Sequence, residues 1–77
     1  MDIKIILFGQ LCDLAGGESI LLKGVADTDG LREQLKQQYP TLAVSKYIIV
    51  VDKKQVQANT LLQENQSIAL LPPFSGG

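Results

Sequence analysis

Residues 3–9 read IKIILFG, and this stretch narrows what the chain can become. β-Branched residues dominate it, which suits a pleated strand. Alternate side chains of a strand point to opposite faces. Ile3, Ile5 and Leu7 therefore share one face, and Lys4, Ile6 and Phe8 share the other. Both faces are largely apolar. A strand of this kind is central, or its second face is covered by something else.

The rest of the chain has little to cover it with. Residues 28–39 (TDGLREQLKQQY) form the clearest helix. Thr28 or Asp27 caps it, and Asp29 lies in the first turn, where negative charge is favoured. Leu31, Leu35 and Tyr39 make one narrow apolar stripe, and Pro40 is expected to end the helix. Gly30 weakens the first turn by about 1 kcal/mol relative to alanine. A single stripe needs one sheet face to pack on.

The other segments supply that sheet. Residues 10–15 (QLCDLA) fit a short helical turn closed by Gly16-Gly17, and residues 19–24 (SILLKG) fit a second strand. Residues 47–51 (YIIVV) fit a third strand. A turn over residues 52–55 and a short return strand over 56–58 follow. Residues 59–66 read as a polar connector holding Leu61 and Leu62. Residues 67–71 (SIALL) are the last strand, stopped by Pro72. The predicted order is β-β-α-β-β-β, in residues 1–71, with residues 72–77 as an extended C-terminal tail.

A hairpin, a helix and further strands make an α+β roll. With the first and last strands as a parallel central pair, the topology is the β-grasp, or ubiquitin-like, roll: a mixed sheet with one main helix on one face. The second face then lacks a helix. An exposed apolar patch is expected around Ile6, Phe8 and the outer face of the third or last strand, the usual mark of a protein partner. Side chains from a loop over residues 41–46 would be the alternative cover.

Composition excludes several functions. The 77 residues make one domain, with one cysteine and no histidine. No disulfide forms within such a chain, no Ser-His-Asp or Cys-His arrangement exists, and one thiol builds no zinc or iron–sulfur site. Cys12 reads as a small, partly buried apolar residue. Gly16-Gly17 lacks the Lys-Ser/Thr of a phosphate-binding loop. Asp27 and Asp29 read as a helix start rather than a metal site. Seven basic and eight acidic residues are spread without a basic stripe, which argues against nucleic acid. No signal peptide or membrane-spanning stretch is apparent, so a cytoplasmic protein is expected.

The C-terminal LLPPFSGG has a consistent chemistry. From Asn65 to Gly77 no side chain is charged. The terminal carboxyl, with a reference pKa of about 3.5, supplies the only charge there. Pro72 and Pro73 force an extended course and donate no N–H. Four further residues reach about 13 Å, at about 3.3 Å each. Gly76 and Gly77 have no side chain and suit a narrow slot. An uncharged strip with a carboxylate at its tip fits insertion into another protein's active site. There the carboxylate attacks the α-phosphate of ATP, and a sulfur or nitrogen nucleophile opens the acyl-adenylate.

Nearly the whole chain resembles a known family, the MoaD/ThiS sulfur carriers, and within it the MoaD branch. The likeness is carried by IKIILFGQLCDLAGG, TDGLREQL, YIIVVD and above all IALLPPFSGG. The resemblance implies the β-grasp fold and adenylation of Gly77 by an adenylyltransferase of the ubiquitin-activating type, which consumes ATP. It implies conversion of Gly77 to a thiocarboxylate at the expense of a sulfur-donor protein. It also implies entry of the tail into the large, catalytic subunit of molybdopterin synthase, in a heterotetramer. Sulfur passes there to cyclic pyranopterin monophosphate and forms the dithiolene. The carrier itself is then a non-catalytic subunit with no bound cofactor or metal. By this resemblance Gly77 reacts, Gly76 and Ser75 thread the slot, and Phe74 anchors beside the partner. Pro72 and Pro73 set direction. The exposed patch read from strand alternation, not the resemblance, puts Phe8 and Ile6 on the partner-binding face.

The chain departs from the family at Cys12-Asp13, where an Arg-Glu pair is common. It departs again at Glu64-Asn65, where a Gly-Asp turn is usual; a changed turn with no lost function is expected. Three other readings compete. A carrier for the thiazole of thiamin usually lacks the insertion seen here as residues 10–17. A protein modifier shares the chemistry up to the adenylate. An interaction domain with an inert tail would tolerate an added C-terminal residue.

Overall fold

The structure, a computed structural model, describes residues 2–73. Strand β1 (Asp2–Leu7) lies inside the sheet, paired on both sides, and alternates exposed and buried residues along its length. Its parallel partner is β5 (Ile68–Leu71), with Ile5 opposite Ile68 and Leu7 opposite Leu70. On its other side β1 pairs antiparallel with β2 (Ser19–Lys23), Ile5 facing Ile20. Strand β3 (Ile48–Val51) pairs antiparallel with β5, and β4 (Lys54–Val56) with β3. Among the described residues the sheet order is β2-β1-β5-β3-β4, the expected β-grasp roll with its parallel pair in the middle.

Among the described residues three helices lie with the sheet: α1 (Gln10–Ala15), α2 (Thr28–Gln38) and α3 (Pro40–Val44). Asp27 is the residue that caps α2, its Oδ1 accepting from the Gly30 N–H at 2.8 Å. Leu31 and Leu35 of the α2 stripe are wholly buried. They join Ile3, Ile5, Leu7, Ile49, Ile68 and Leu70 of the sheet in one core.

Several sequence expectations shift. Pro40 does not simply stop a helix. Helix α2 ends at Gln38, and Pro40 opens α3, where proline's missing N–H costs nothing. The segment expected to be a loop over residues 41–46 is therefore mostly helical. Its Leu42 is buried in the core and α3 packs against α1 and α2, so it lies on the helix side of the sheet. The β3–β4 turn is shorter than expected. Asp52 and Lys53 both take positive φ, 50° and 69°, as a two-residue hairpin turn requires, and the return strand starts at Lys54. The first strand stops at Leu7, and Gly9 precedes α1 instead of ending the strand.

The connector after β4 is more than a polar link. Leu62 is buried in the core, while Leu61 stays exposed and bridges Asp27. Thr28, 1% exposed, donates to Asn59 Oδ1 at 3.2 Å and accepts from the Thr60 N–H at 2.9 Å. Asn59 Oδ1 also takes the Asp29 N–H at 2.9 Å. The N-terminus of α2 is thereby tied to the connector after β4. The Glu64-Asn65 turn holds because Asn65, at φ 69°, is a residue type that tolerates the left-handed region.

Candidate functional site: the bare sheet face and the tail exit

Because the core takes every second residue of β1, the intervening ones face away from the helices. Ile6 is 37% exposed, Phe8 48% and, on the neighbouring β2, Leu21 52%. Across the ladder Ile6 stands beside Ala69, and Ala69 beside Val50. Ile48 stands beside Leu71. Ala69, Leu71, Ile48 and Val50 are all half-buried. These side chains form one apolar surface over the four strands β2, β1, β5 and β3. The patch expected around Ile6 and Phe8 is present, and α3 does not cover it. Lys4 and Gln55 border it, a polar edge of the kind seen around partner surfaces.

The tail leaves at one end of this surface. The Phe8 N–H donates to the Leu70 carbonyl at 3.1 Å, which extends the parallel ladder one residue past β1. Chain direction then changes on both sides. Gly9 turns the chain into α1 with φ 60° and ψ −140°. Pro72 follows Leu71 and lies directly over Gly9: a β-carbon built on Gly9 would stand 3.0 Å from Pro72 Cγ. Pro72 is half-buried and Pro73 exposed. Pro73 borders an open groove of about 700 Å³ between α2 and residues 43–47, where Arg32 lies 5.7 Å over the Tyr47 ring. Arg32, Lys36 and Lys46 line this groove together with Asp29 and Glu33, so its charge is mixed.

Of the residues singled out in the sequence, Ile6, Phe8, Pro72 and Pro73 thus gather at and beside the tail exit. Phe74, Ser75, Gly76 and Gly77 lie outside the described residues. Cys12 is half-buried and its thiol donates to the Leu7 carbonyl at 3.2 Å, which suits a packing role. Among the described residues no cluster of three or more metal-ligating side chains occurs. No helix there is long and apolar enough to cross a membrane. Sequence reasoning missed Gly9 and Leu21. Phe8-Gly9 before a helical turn was a signal for the first. For the second, the alternation of Ile20, Leu21 and Leu22 hid which face each residue takes.

Known proteins are similar to this chain in sequence and fold. The model of the ThiS family matches residues 5–77. A molybdopterin synthase sulfur carrier subunit from Caenorhabditis elegans is 30% identical over 83 residues, covering 100% of this chain and 99% of that one. One from Arabidopsis thaliana is 25% identical and is covered over 84% of its length. Among solved structures, a complex of subunits 1 and 2 of the molybdopterin-converting factor from Helicobacter pylori is similar. Its matched chain is 25% identical, superposes with a TM-score of 0.73, and both chains are covered in full. The small archaeal modifier protein 1 from Haloferax volcanii, 20% identical with a TM-score of 0.78 over the full length of both chains, shares the fold. With its family model matched from Ile5 to Gly77 and its whole length aligned to these relatives, the chain belongs to the MoaD/ThiS family.

Proposed function

We propose that this protein is the sulfur carrier subunit of a molybdopterin synthase, with Gly77 as the group that carries the sulfur. The observation that bears most weight is the continuity of the bare apolar face with the tail exit. A partner that covers Ile6, Phe8 and Leu71 sits beside Pro72, the point where the chain leaves the sheet. The named relatives and the two-subunit complex of the Helicobacter pylori factor support the same reading.

The chemistry proceeds in balanced steps. A Gly77 carboxylate oxygen attacks the α-phosphate of ATP, and pyrophosphate leaves. A hydrosulfide equivalent from a sulfur-donor protein attacks the acyl carbon, AMP leaves, and a thiocarboxylate and a proton remain. In the large subunit the thiocarboxylate sulfur bonds to a carbon of cyclic pyranopterin monophosphate as a carbon–oxygen bond there breaks and the oxygen leaves with its electron pair. Water then cleaves the acyl–sulfur bond and returns the carboxylate. The carrier's own residues dock, thread and present. Catalytic groups and the ATP site belong to the adenylyltransferase and the large subunit.

Intact mass of the N-terminally tagged protein, purified from its own cell with its partners, tests this directly. An oxygen-for-sulfur exchange at Gly77 with a synthase large subunit in the eluate is expected. Thiocarboxylate with a thiazole-forming partner would assign the thiamin pathway instead. An unmodified carboxylate under sulfur-replete growth, with no partner, would mean an inert interaction domain. The threading role has its own test. Gly76→Arg is expected to abolish thiocarboxylate formation with an unchanged folded-state spectrum, and normal loading of that variant would refute it.

A further inference from the structure

We propose that Gly9 is a positioning residue for the C-terminal segment: its bare α-carbon is the seat that fixes Pro72 where the chain leaves the sheet. The inference deepens the sulfur-carrier reading and rests on it.

Two independent demands meet at this glycine. Its backbone, at φ 60° and ψ −140°, lies where L side chains are strained. Separately, a β-carbon would sit 3.0 Å from Pro72 Cγ and 3.5 Å from Cδ. Carbon atoms pack best about 3.5–4.0 Å apart. Gly16 and Gly24 also have positive φ, yet a β-carbon on either meets nothing within 4 Å. Their need for glycine is conformational alone. At Gly9 the missing side chain also makes room for a ring.

That room matters because of what Pro72 lacks. Neither Pro72 nor Pro73 has an N–H, so neither donates a ladder bond to hold the exit in register. On the β1 side the ladder ends with the Phe8 N–H to the Leu70 carbonyl, and on the β3 side it ends with Leu71 paired to Ile48. Beyond it, the proline ring restricts φ, and the seat on Gly9 fixes the ring. Filling the seat pushes Pro72 away from the β1–α1 corner and swings the course of the chain at its root. Pro73, next along the chain, shifts with it.

The full-length chain and the adenylating enzyme from the same cell supply the test, read as the rate of ATP-dependent thiocarboxylate formation by intact mass. Each variant is assayed at a temperature where circular dichroism finds it fully folded. Gly9→Val is expected to slow loading by about tenfold to a hundredfold, the scale for misplacing a reacting group by about 1 Å. Adding Pro72→Ala, which removes the ring, is expected to recover most of that loss. Gly16→Ala places a side chain at a positive-φ glycine of the other end of α1, away from Pro72, and is expected to load near the parent rate. Normal loading by Gly9→Val overturns the proposal. So does a double variant no faster than Gly9→Val, because strain at the corner would then explain the loss. Should Gly9→Val fail to fold, nuclear Overhauser contacts between the Gly9 α-protons and the Pro72 ring in the parent protein decide. Their presence supports the seat and their absence overturns it. A parent chain that never loads overturns the sulfur-carrier reading instead, and that failure is visible before any substitution is made.

Discussion

Ile5 and Ile6 are neighbours on β1 with the same side chain, yet Ile5 is wholly buried and Ile6 is 37% exposed. The difference is not one of hydrophobicity. Helices α1, α2 and α3 lie on the side that Ile5 faces, and Ile6 faces the side without them. The same split recurs on β5, where Ile68 and Leu70 belong to the core and Ala69 and Leu71 are only half-buried. One face of the sheet is spent on folding. The other keeps apolar area that folding does not use, and burial of such area drives association at about 25 cal/mol per Å². A single strand therefore serves stability with its odd residues, and under the proposed function it offers its even ones to a partner.

Substitution along β1 gives the sharpest test of this contrast. Ile5→Ala is expected to lower unfolding free energy by about 2–5 kcal/mol, measured by urea denaturation. Ile6→Ala is expected to cost less than about 1 kcal/mol, and an equal loss at both positions would break the comparison. On the bare face, Phe8→Ala should weaken binding to the large subunit by more than about 1 kcal/mol in titration calorimetry while barely moving stability. Phe74→Ala should weaken it on the same scale, if the anchor role extends along the tail. Unchanged affinity in both would deny this face a partner.

The cover over the inner face has its own weak point. Asp27→Ala removes the bond to the Gly30 N–H and is expected to cost about 1 kcal/mol, visible as a lower thermal midpoint with the binding of the large subunit unaltered. The smallest effect is expected at Leu21, on the second strand of the bare face. Leu21→Ser should change stability by no more than about 0.5 kcal/mol. A larger loss would mean that Leu21 is held by something besides its neighbours on the sheet.

The separation of the two faces was legible in residues 3–9 because strand periodicity is local and strict. So were the cap and stripe of α2, whose signals lie within a dozen residues, and the likeness of the tail to a family that ends in Gly-Gly. The α3 helix was not legible. Pro40 carries the same local message whether it stops one helix or starts the next, and only the core position taken by Leu42 separates the two. Leu62 looked like part of a polar connector because its burial depends on docking the connector against α2 through Asn59, Thr60 and Thr28, contacts separated by about thirty residues.

What the sequence determined by itself is the alternation, the helix boundaries with strong caps, and the chemistry available at Gly77, since each depends on neighbouring residues. What tertiary structure alone decided is where α3 and Leu62 pack and what stands over Gly9. Gly9 and Pro72 are sixty-three positions apart, and a glycine at a turn looks the same whether the space above it holds solvent or a proline ring. Parallel pairing of β1 with β5 brings the two together, and such pairing is a property of the folded chain as a whole.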